Sequence, residues 1–172
     1  MKDHNQIIET LKGYKLLKNL SNKDLDIFLQ KIEIKDLPVN HTIIDEDSFG
    51  TFLIFLINGQ VSISRKMTLN HSKENTSYQE KEILKTDSSS KPIFGEIGLF
   101  GKSHKRTATI KTLSNCTIAV IDKEIFFKLC ENNNTLGYQL LKNISIILSE
   151  RIMDTNSNVM KLTTALCLIL DQ

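Results

Sequence analysis

The chain contains no tryptophan, only two prolines and three cysteines, and its charges nearly cancel. With 22 basic and 20 acidic residues, the formal net charge is +2. A field that weak does not by itself recruit nucleic acid or an acidic membrane surface. The cysteines, Cys116, Cys130 and Cys167, are odd in number and far apart. That argues against a disulfide framework and against a C-x-x-C metal or redox site, and it makes a reducing cytoplasm the expected location. The four histidines, His4, His41, His71 and His104, stand singly, without the H-x-H pair of a cupin-type metal centre. Neither a metal nor a cofactor is therefore expected. No nucleophile elbow or comparable catalytic motif is present, so no catalytic residue is assigned and enzymatic activity is not expected. Long apolar runs are also missing. The N-terminus, Met-Lys-Asp-His-Asn-Gln, has no apolar core of a leader, and the longest apolar stretch, Leu162 to Leu170, carries two threonines. It is too short to span a bilayer, and no membrane partner is expected.

What is present fits one domain with a substantial core and an appended helix. The chain has 172 residues, 40% of them hydrophobic, which leaves no room for a second full domain. Ile7, Ile8 and Leu11 recur at helical spacing, and Ser21-Asn-Lys-Asp24 reads as a capping box before Leu25, Phe28, Leu29 and Ile32. From Glu33 the hydrophobic period falls to two. Short β-rich runs, such as Phe52 to Ile57, Val61/Ile63 and Ile118/Val120, alternate with turn signals at Pro38-Val39-Asn40, Asp47-Ser48-Phe49-Gly50 and Asn58-Gly59. Many short strands with tight turns argue for a β-sandwich or barrel. Between Lys66 and Lys91 the sequence turns polar, and Asn70–Ser77 and Thr86–Lys91 read as solvent loops around a strand at Tyr78–Leu84. After Asp122 a helix at Lys123–Cys130, a break at Asn132–Asn134 and a long helix from about Leu136 are expected. The apolar positions Leu141, Ile144, Leu148, Ile152, Thr155, Val159, Leu162, Leu166 and Ile169 step by three or four, close to a heptad seam. This divides the chain into residues 1–135, helices and β-domain, and residues 136–172, a long helix expected to dimerise.

The stretch Phe94 to Thr109, F-G-E-I-G-L-F-G-K-S-H-K-R-T-A-T, concentrates the chemistry. Gly95 permits a tight turn and close backbone approach. Glu96 can accept a hydrogen bond from a ribose hydroxyl, and Arg106 can fork two N–H groups onto a phosphate. Thr107 and Ala108 follow, with backbone amides able to close around the same anion. The ligand suggested is a nucleotide whose phosphate lies near its ribose.

This segment resembles the phosphate-binding cassette of the cyclic nucleotide-binding domain family, F-G-E, a small residue, Leu, a variable loop and R-[ST]-A. Phe94, Gly95, Glu96, Gly98, Leu99, Arg106, Thr107 and Ala108 meet it, with Ile97 inside the cassette, and the resemblance runs from about Tyr14 to Val159. It implies an α+β fold, a β-roll (double-stranded β-helix, jelly-roll-like) with N-terminal helices and a long C-terminal helix. It also implies that Glu96 binds the ribose 2′-hydroxyl and that Arg106 with Thr107 binds the cyclic phosphate. Arg151, Thr155, Asn156 and Val159 resemble the pattern R-x-x-x-T-[S/N]-x-x-V of the long helix in family members of the catabolite activator type. There the arginine pairs with the cassette glutamate, the threonine meets the adenine, and the next polar residue reaches the base in the other subunit. The function implied is a cyclic nucleotide sensor that signals through its C-terminal helix to a downstream protein. Cyclic AMP is preferred, because Thr155 and Asn156 match the adenine-contacting positions. Cyclic GMP stays open because of Thr107, as does the ligand-binding half of a transcription regulator. After Val159 the sequence M-K-L-T-T-A-L-C-L-I-L-D-Q is too short for a helix-turn-helix reader, so DNA is not an expected partner of these residues.

Overall fold

The structure, a computed structural model, describes residues 4–70, 76–101 and 105–170. Helix α1 (His4–Lys12), a 3-10 turn (Lys15–Leu17) and α2 (Asn22–Leu29) open the chain. Ser21 caps α2 as its sequence suggests: its hydroxyl accepts the Asp24 N–H at 3.1 Å and donates to the Asp24 carboxylate at 2.7 Å. Among the described residues eight strands follow: β1 (Glu33–Leu37), β2 (Thr42–Ile44), β3 (Phe52–Asn58), β4 (Gln60–Asn70), β5 (Thr76–Asp87), β6 (Ile93–Phe94), β7 (Thr109–Thr112) and β8 (Cys116–Asp122). They form two antiparallel sheets, ordered β1-β8-β3-β6 and β2-β7-β4-β5. The registers place Phe55 opposite Ala119 and Ile63 opposite Ile110.

Strand β3 explains why the run Phe52 to Ile57 is apolar without alternation. Leu53, Phe55 and Ile57 face the helices, while Ile54 and Leu56 join Ile44, Val61, Phe94, Ile110 and Ile118 between the sheets. A strand covered on both faces has no position left for a polar side chain. On the helical side, Tyr14 and Phe28 meet Phe55 edge-on at centroid distances of 5.2 and 6.3 Å. The Tyr14 hydroxyl donates to the Leu56 carbonyl at 2.5 Å, so the one polar atom of this cluster is satisfied.

The polar stretch after Lys66 departs from expectation. β4 and β5 pair from Gln60↔Asp87 to Asn70↔Thr76, so Asn70, Thr76, Ser77, Thr86 and Asp87 belong to strands rather than to the expected loops. An exposed hairpin needs little apolar surface of its own, which is why the composition of its ends reads as loop. The 3-10 turn Ser88–Ser90 follows, capped by Asp87, whose carboxylate accepts the Ser89 N–H at 2.8 Å. Residues 71–75 of the expected first loop lie outside the described residues.

Short helix α3 (Glu96–Phe100) interrupts the strands, and α4 (Lys123–Asn132) and α5 (Asn134–Leu170) close the chain. The break falls at Asn133, whose side chain accepts the Leu136 N–H at 3.1 Å and donates to Asp24 at 2.7 Å. α5 is 37 residues long. Its first turns pack on the helical layer through Leu136, Gly137, Leu140, Asn143, Ile144 and Ile147. Buried Asn143 donates to the carbonyls of Leu16 and Lys18, both at 2.8 Å. The packed stripe is therefore rotated from the one the spacing suggests: Leu141 is 38% exposed, whereas Leu140 is fully buried. From Ile152 to Leu170 every residue of α5 is exposed. Among the described residues no helix is long and apolar enough to cross a membrane.

The cysteines separate cleanly in this fold. Cys116 and Cys130 are buried and Cys167 is exposed. Burial, followed by the nearby Glu131 charge, pushes the Cys130 thiol up to about 11. A raised thiol pKa lowers the thiolate fraction, and the thiolate is the reactive species. The folded chain is thus expected to release about one equivalent of thionitrobenzoate from Ellman's reagent at pH 8, with all three thiols reacting only in denaturant. Cys167→Ser removes the fast equivalent. Rapid titration of a second thiol in the folded chain contradicts this packing.

Candidate functional site

The site is assembled where β6 ends. The chain leaves Phe94 through Gly95, whose φ of 90° is left-handed and suits glycine. A Cβ there would lie 2.5 Å from the Phe52 carbonyl oxygen and would also strike the Arg106 guanidinium. The turn points Glu96, the first residue of α3, inward, where it is 2% exposed. Its Oε1 accepts a hydrogen bond from Arg151 Nη1 on α5. Arg151 Nη2 donates to the Ile93 carbonyl at 2.7 Å, so one guanidinium ties the long helix to both the cassette and β6. The second Glu96 oxygen, Oε2, is buried without a hydrogen-bond partner among the described residues.

Arg106 enters from the other side. Its backbone is fixed by two hydrogen bonds to the preceding turn, Arg106 N–H to Ser48 O at 2.9 Å and Asp47 N–H to Arg106 O at 3.0 Å. The side chain then turns in and is 4% exposed. Nη2 donates to the Phe52 carbonyl at 2.9 Å, and the guanidinium carbon sits 4.5 Å from the Phe52 ring centroid. Gly50 and Gly98 flank it; a Cβ on Gly50 would run into the guanidinium. Burial lowers the Arg106 pKa and the Glu96 charge works against that, but an arginine stays cationic at neutral pH. Its Nη1 is buried and has no hydrogen-bond partner among the described residues.

Glu96 and Arg106 line one cleft of about 280 Å³. Buried polar atoms are almost always hydrogen-bonded, so two orphans in one cavity, an acceptor on Glu96 and a charged donor on Arg106, need an explanation. A ligand that brings a hydroxyl and an anionic oxygen satisfies both. The lining also includes the apolar side chains Ile44, Ile63, Leu84 and Ile110, which form an apolar wall. A cleft that combines buried polar groups with apolar side chains suits a molecule with a charged end and a flat, weakly polar end.

The structure brings Phe94, Gly95, Glu96, Ile97, Arg106, Thr107, Ala108 and Arg151 together around this cleft. It does not bring Thr155 and Asn156 there. Both are exposed on the next turn of α5, and the Thr155 hydroxyl donates back to the Arg151 carbonyl at 2.7 Å. Sequence reasoning missed Gly50 and Phe52, which shape the seat of Arg106, and the apolar wall. Phe52 is the first residue of a run that reads as core, and nothing in its spacing separates a ring under a guanidinium from a ring in the interior.

Comparison with known proteins bears on the family and the fold. A family model described as the cyclic nucleotide-binding domain matches residues 34–133. The cAMP-activated global transcriptional regulator CRP of Haemophilus influenzae is 30% identical over 138 residues, which cover 80% of this chain and 55% of that protein. The chain thus spans little more than half the length of that relative. The crystal structure of the Thermus thermophilus catabolite activator protein superposes with a TM-score of 0.71 at 17% identity, covering 87% of this chain and 63% of that one. A cyclic nucleotide-binding domain from Methylobacillus flagellatus gives 0.73 at 18% identity, covering 91% and 82%. At such identities the two structures speak for the β-roll fold alone.

Proposed function

The chain belongs to the cyclic nucleotide-binding domain family, and on that premise we propose that it binds a 3′,5′-cyclic nucleotide, preferably cyclic AMP, and signals through α5 to a protein partner. One observation carries the reading: the buried, unpartnered Glu96 Oε2 and Arg106 Nη1 in a single cleft. Arg106 meets the cyclic phosphate, with the backbone of Thr107 and Ala108 closing around it. Glu96 takes the ribose 2′-hydroxyl on Oε2, while Arg151 holds Oε1 and neutralises the charge. The base lies along the apolar wall. Thr155 and Asn156 reach it only if α5 repositions or a second copy supplies them. A nucleotide therefore favours whichever helix arrangement completes the pocket, and that population shift is the signal.

The protein acts as a regulator. Glu96 is held by Arg151 and serves as a hydrogen-bond acceptor, and no chemical step is assigned to it. The exposed stripe of α5 supports a homodimer, and buried, unpaired Cys116 and Cys130 support a reducing, cytoplasmic location. A second reading is the ligand-binding half of a transcription regulator, favoured by the 30% identity to a CRP of which the chain covers 55%. Cyclic GMP remains the alternative ligand through Thr107.

Calorimetric titration with cyclic AMP, cyclic GMP and 2′-deoxy cyclic AMP tests the reading. Cyclic AMP is expected to bind most tightly. A hydrogen bond to a charged group is worth about 1.5–3 kcal/mol, so the 2′-deoxy analogue loses roughly ten- to a hundredfold against the wild type. Glu96→Ala weakens cyclic AMP and no longer distinguishes the two ligands. Absence of binding by either natural nucleotide overturns the function.

A further inference from the structure

We propose that Lys105 is a second cation for the ligand phosphate, one that attracts the anion to the cleft and adds a salt-dependent component to its affinity; the inference rests on the cyclic-nucleotide reading above. Lys105 lines the cleft beside Arg106 and Thr107, yet its side chain is exposed. Adjacent residues of an extended chain face opposite ways. Buried Arg106 therefore leaves Lys105 at the rim. Its backbone is held there by a β-bridge to Phe49 and by the paired hydrogen bonds of Arg106 with Asp47 and Ser48.

The charge count of the cleft makes this position informative. Its ionisable lining is Glu96, Lys105, Arg106 and Arg151. Glu96 and Arg151 are engaged with each other. Asp47, bound through its backbone to Arg106, turns its carboxylate to Lys66 at 3.7 Å and not to Lys105. Among the described residues, Lys105 and Arg106 have no anionic partner in an ion pair. A cyclic phosphate brings a single negative charge, and buried Arg106 Nη1 accounts for direct contact. Lys105 is then the remaining cation at the mouth. Low-dielectric walls focus its field outward along the approach path. The phosphate end so carries one positive charge more than the ligand neutralises, and the excess acts on encounter more than on the docked pose.

Stopped-flow association and equilibrium titration of cyclic AMP on the full chain, at about 0.02 M and about 0.5 M salt, test this, because screening acts over about 10 Å at 0.1 M ionic strength. Lys105→Gln is expected to lower affinity about three- to tenfold at low salt, mostly through the association rate, and the difference is expected to vanish at high salt. Lys105→Arg retains wild-type behaviour. Lys31→Gln, the same charge change at an exposed lysine outside the cleft, leaves both rates within about twofold. If wild type binds but Lys105→Gln matches it at low salt, or loses affinity equally at both salts through dissociation alone, the steering role is overturned while the nucleotide reading stands. If wild type binds no cyclic nucleotide, that reading falls and this one with it.

Discussion

Arg106→Ala is expected to abolish useful nucleotide binding while leaving the ligand-free protein folded. Truncating one partner of a buried, hydrogen-bonded charge pair costs about 2–5 kcal/mol, tens-fold or more in dissociation constant, much of it because the anion is left unpaired. The ligand-free state behaves differently. Arg106 is a buried cation whose Nη1 has no partner, and burial already lowers its pKa. Removing it takes away an unsatisfied charged donor and leaves a cavity; these effects oppose each other. Arg106→Leu fills more of that space with apolar atoms and is the better probe of stability. Its melting temperature without ligand is expected to be at least that of the wild type, and the rise on adding cyclic AMP is expected to disappear. Arg106→Lys does not rescue binding. A lysine cannot donate to the Phe52 carbonyl and to the phosphate with a rigid planar fork, nor lie flat on the Phe52 ring. Calorimetry on the three variants, with thermal melts in both states, checks these outcomes, and an unchanged dissociation constant for Arg106→Ala overturns the assignment.

The cassette was legible because its chemistry is local. Gly95 needs its left-handed turn whatever surrounds it, and Glu96 and Arg106 are residue types seldom buried without a reason. The β-roll was legible through turn signals and period, and the family resemblance supplied what periodicity leaves open. Other parts depend on tertiary placement. Arg151 and Thr155 share a helix face by spacing, but spacing does not tell where along the helix contact with the barrel ends. Arg151 is the α5 residue that lines the cleft, and Thr155 stays outside it. Asn143 carries no signal in the sequence, yet it is buried, its amide donating to two carbonyls of the 3-10 turn region. The middle of strand β5 reads as a strand, but its ends at Thr76–Ser77 and Thr86–Asp87 read as loop, because an exposed hairpin draws its stability from its partner strand and not from an apolar face. Lys105 is typical of a surface lysine in sequence, and only the cleft beside it gives it a task.

The distal half of α5 is expected to hold two copies together, and Leu162→Asp to separate them. Ile152, Val159, Leu162, Leu166 and Ile169 are exposed by 61%, 53%, 71%, 56% and 69%. A stripe of that kind is covered by something in a soluble protein. The steps alternate four and three, with Ile152, Val159 and Leu166 at one seam position and Thr155, Leu162 and Ile169 at the other. β-Branched residues at the first position with leucine at the second favour two parallel strands, the arrangement of Val159 with Leu162. Each fully buried side chain of this size contributes about 1.5–3 kcal/mol, so five in each helix offset the cost of association. Leu162→Asp places an unpaired carboxylate at the seam in both copies, and burying it costs far more than the lost leucine contacts. Sedimentation at tens of micromolar is expected to show a wild-type dimer and a Leu162→Asp monomer. The monomer keeps its cassette, since Glu96, Arg106 and Arg151 come from one chain. Its cyclic nucleotide affinity is expected to fall only to the extent that Asn156 of a second copy reaches the base. A wild-type monomer with and without ligand removes the seam and leaves the stripe to a different protein, whereas a Leu162→Asp variant that is still dimeric places the interface elsewhere on the β-roll.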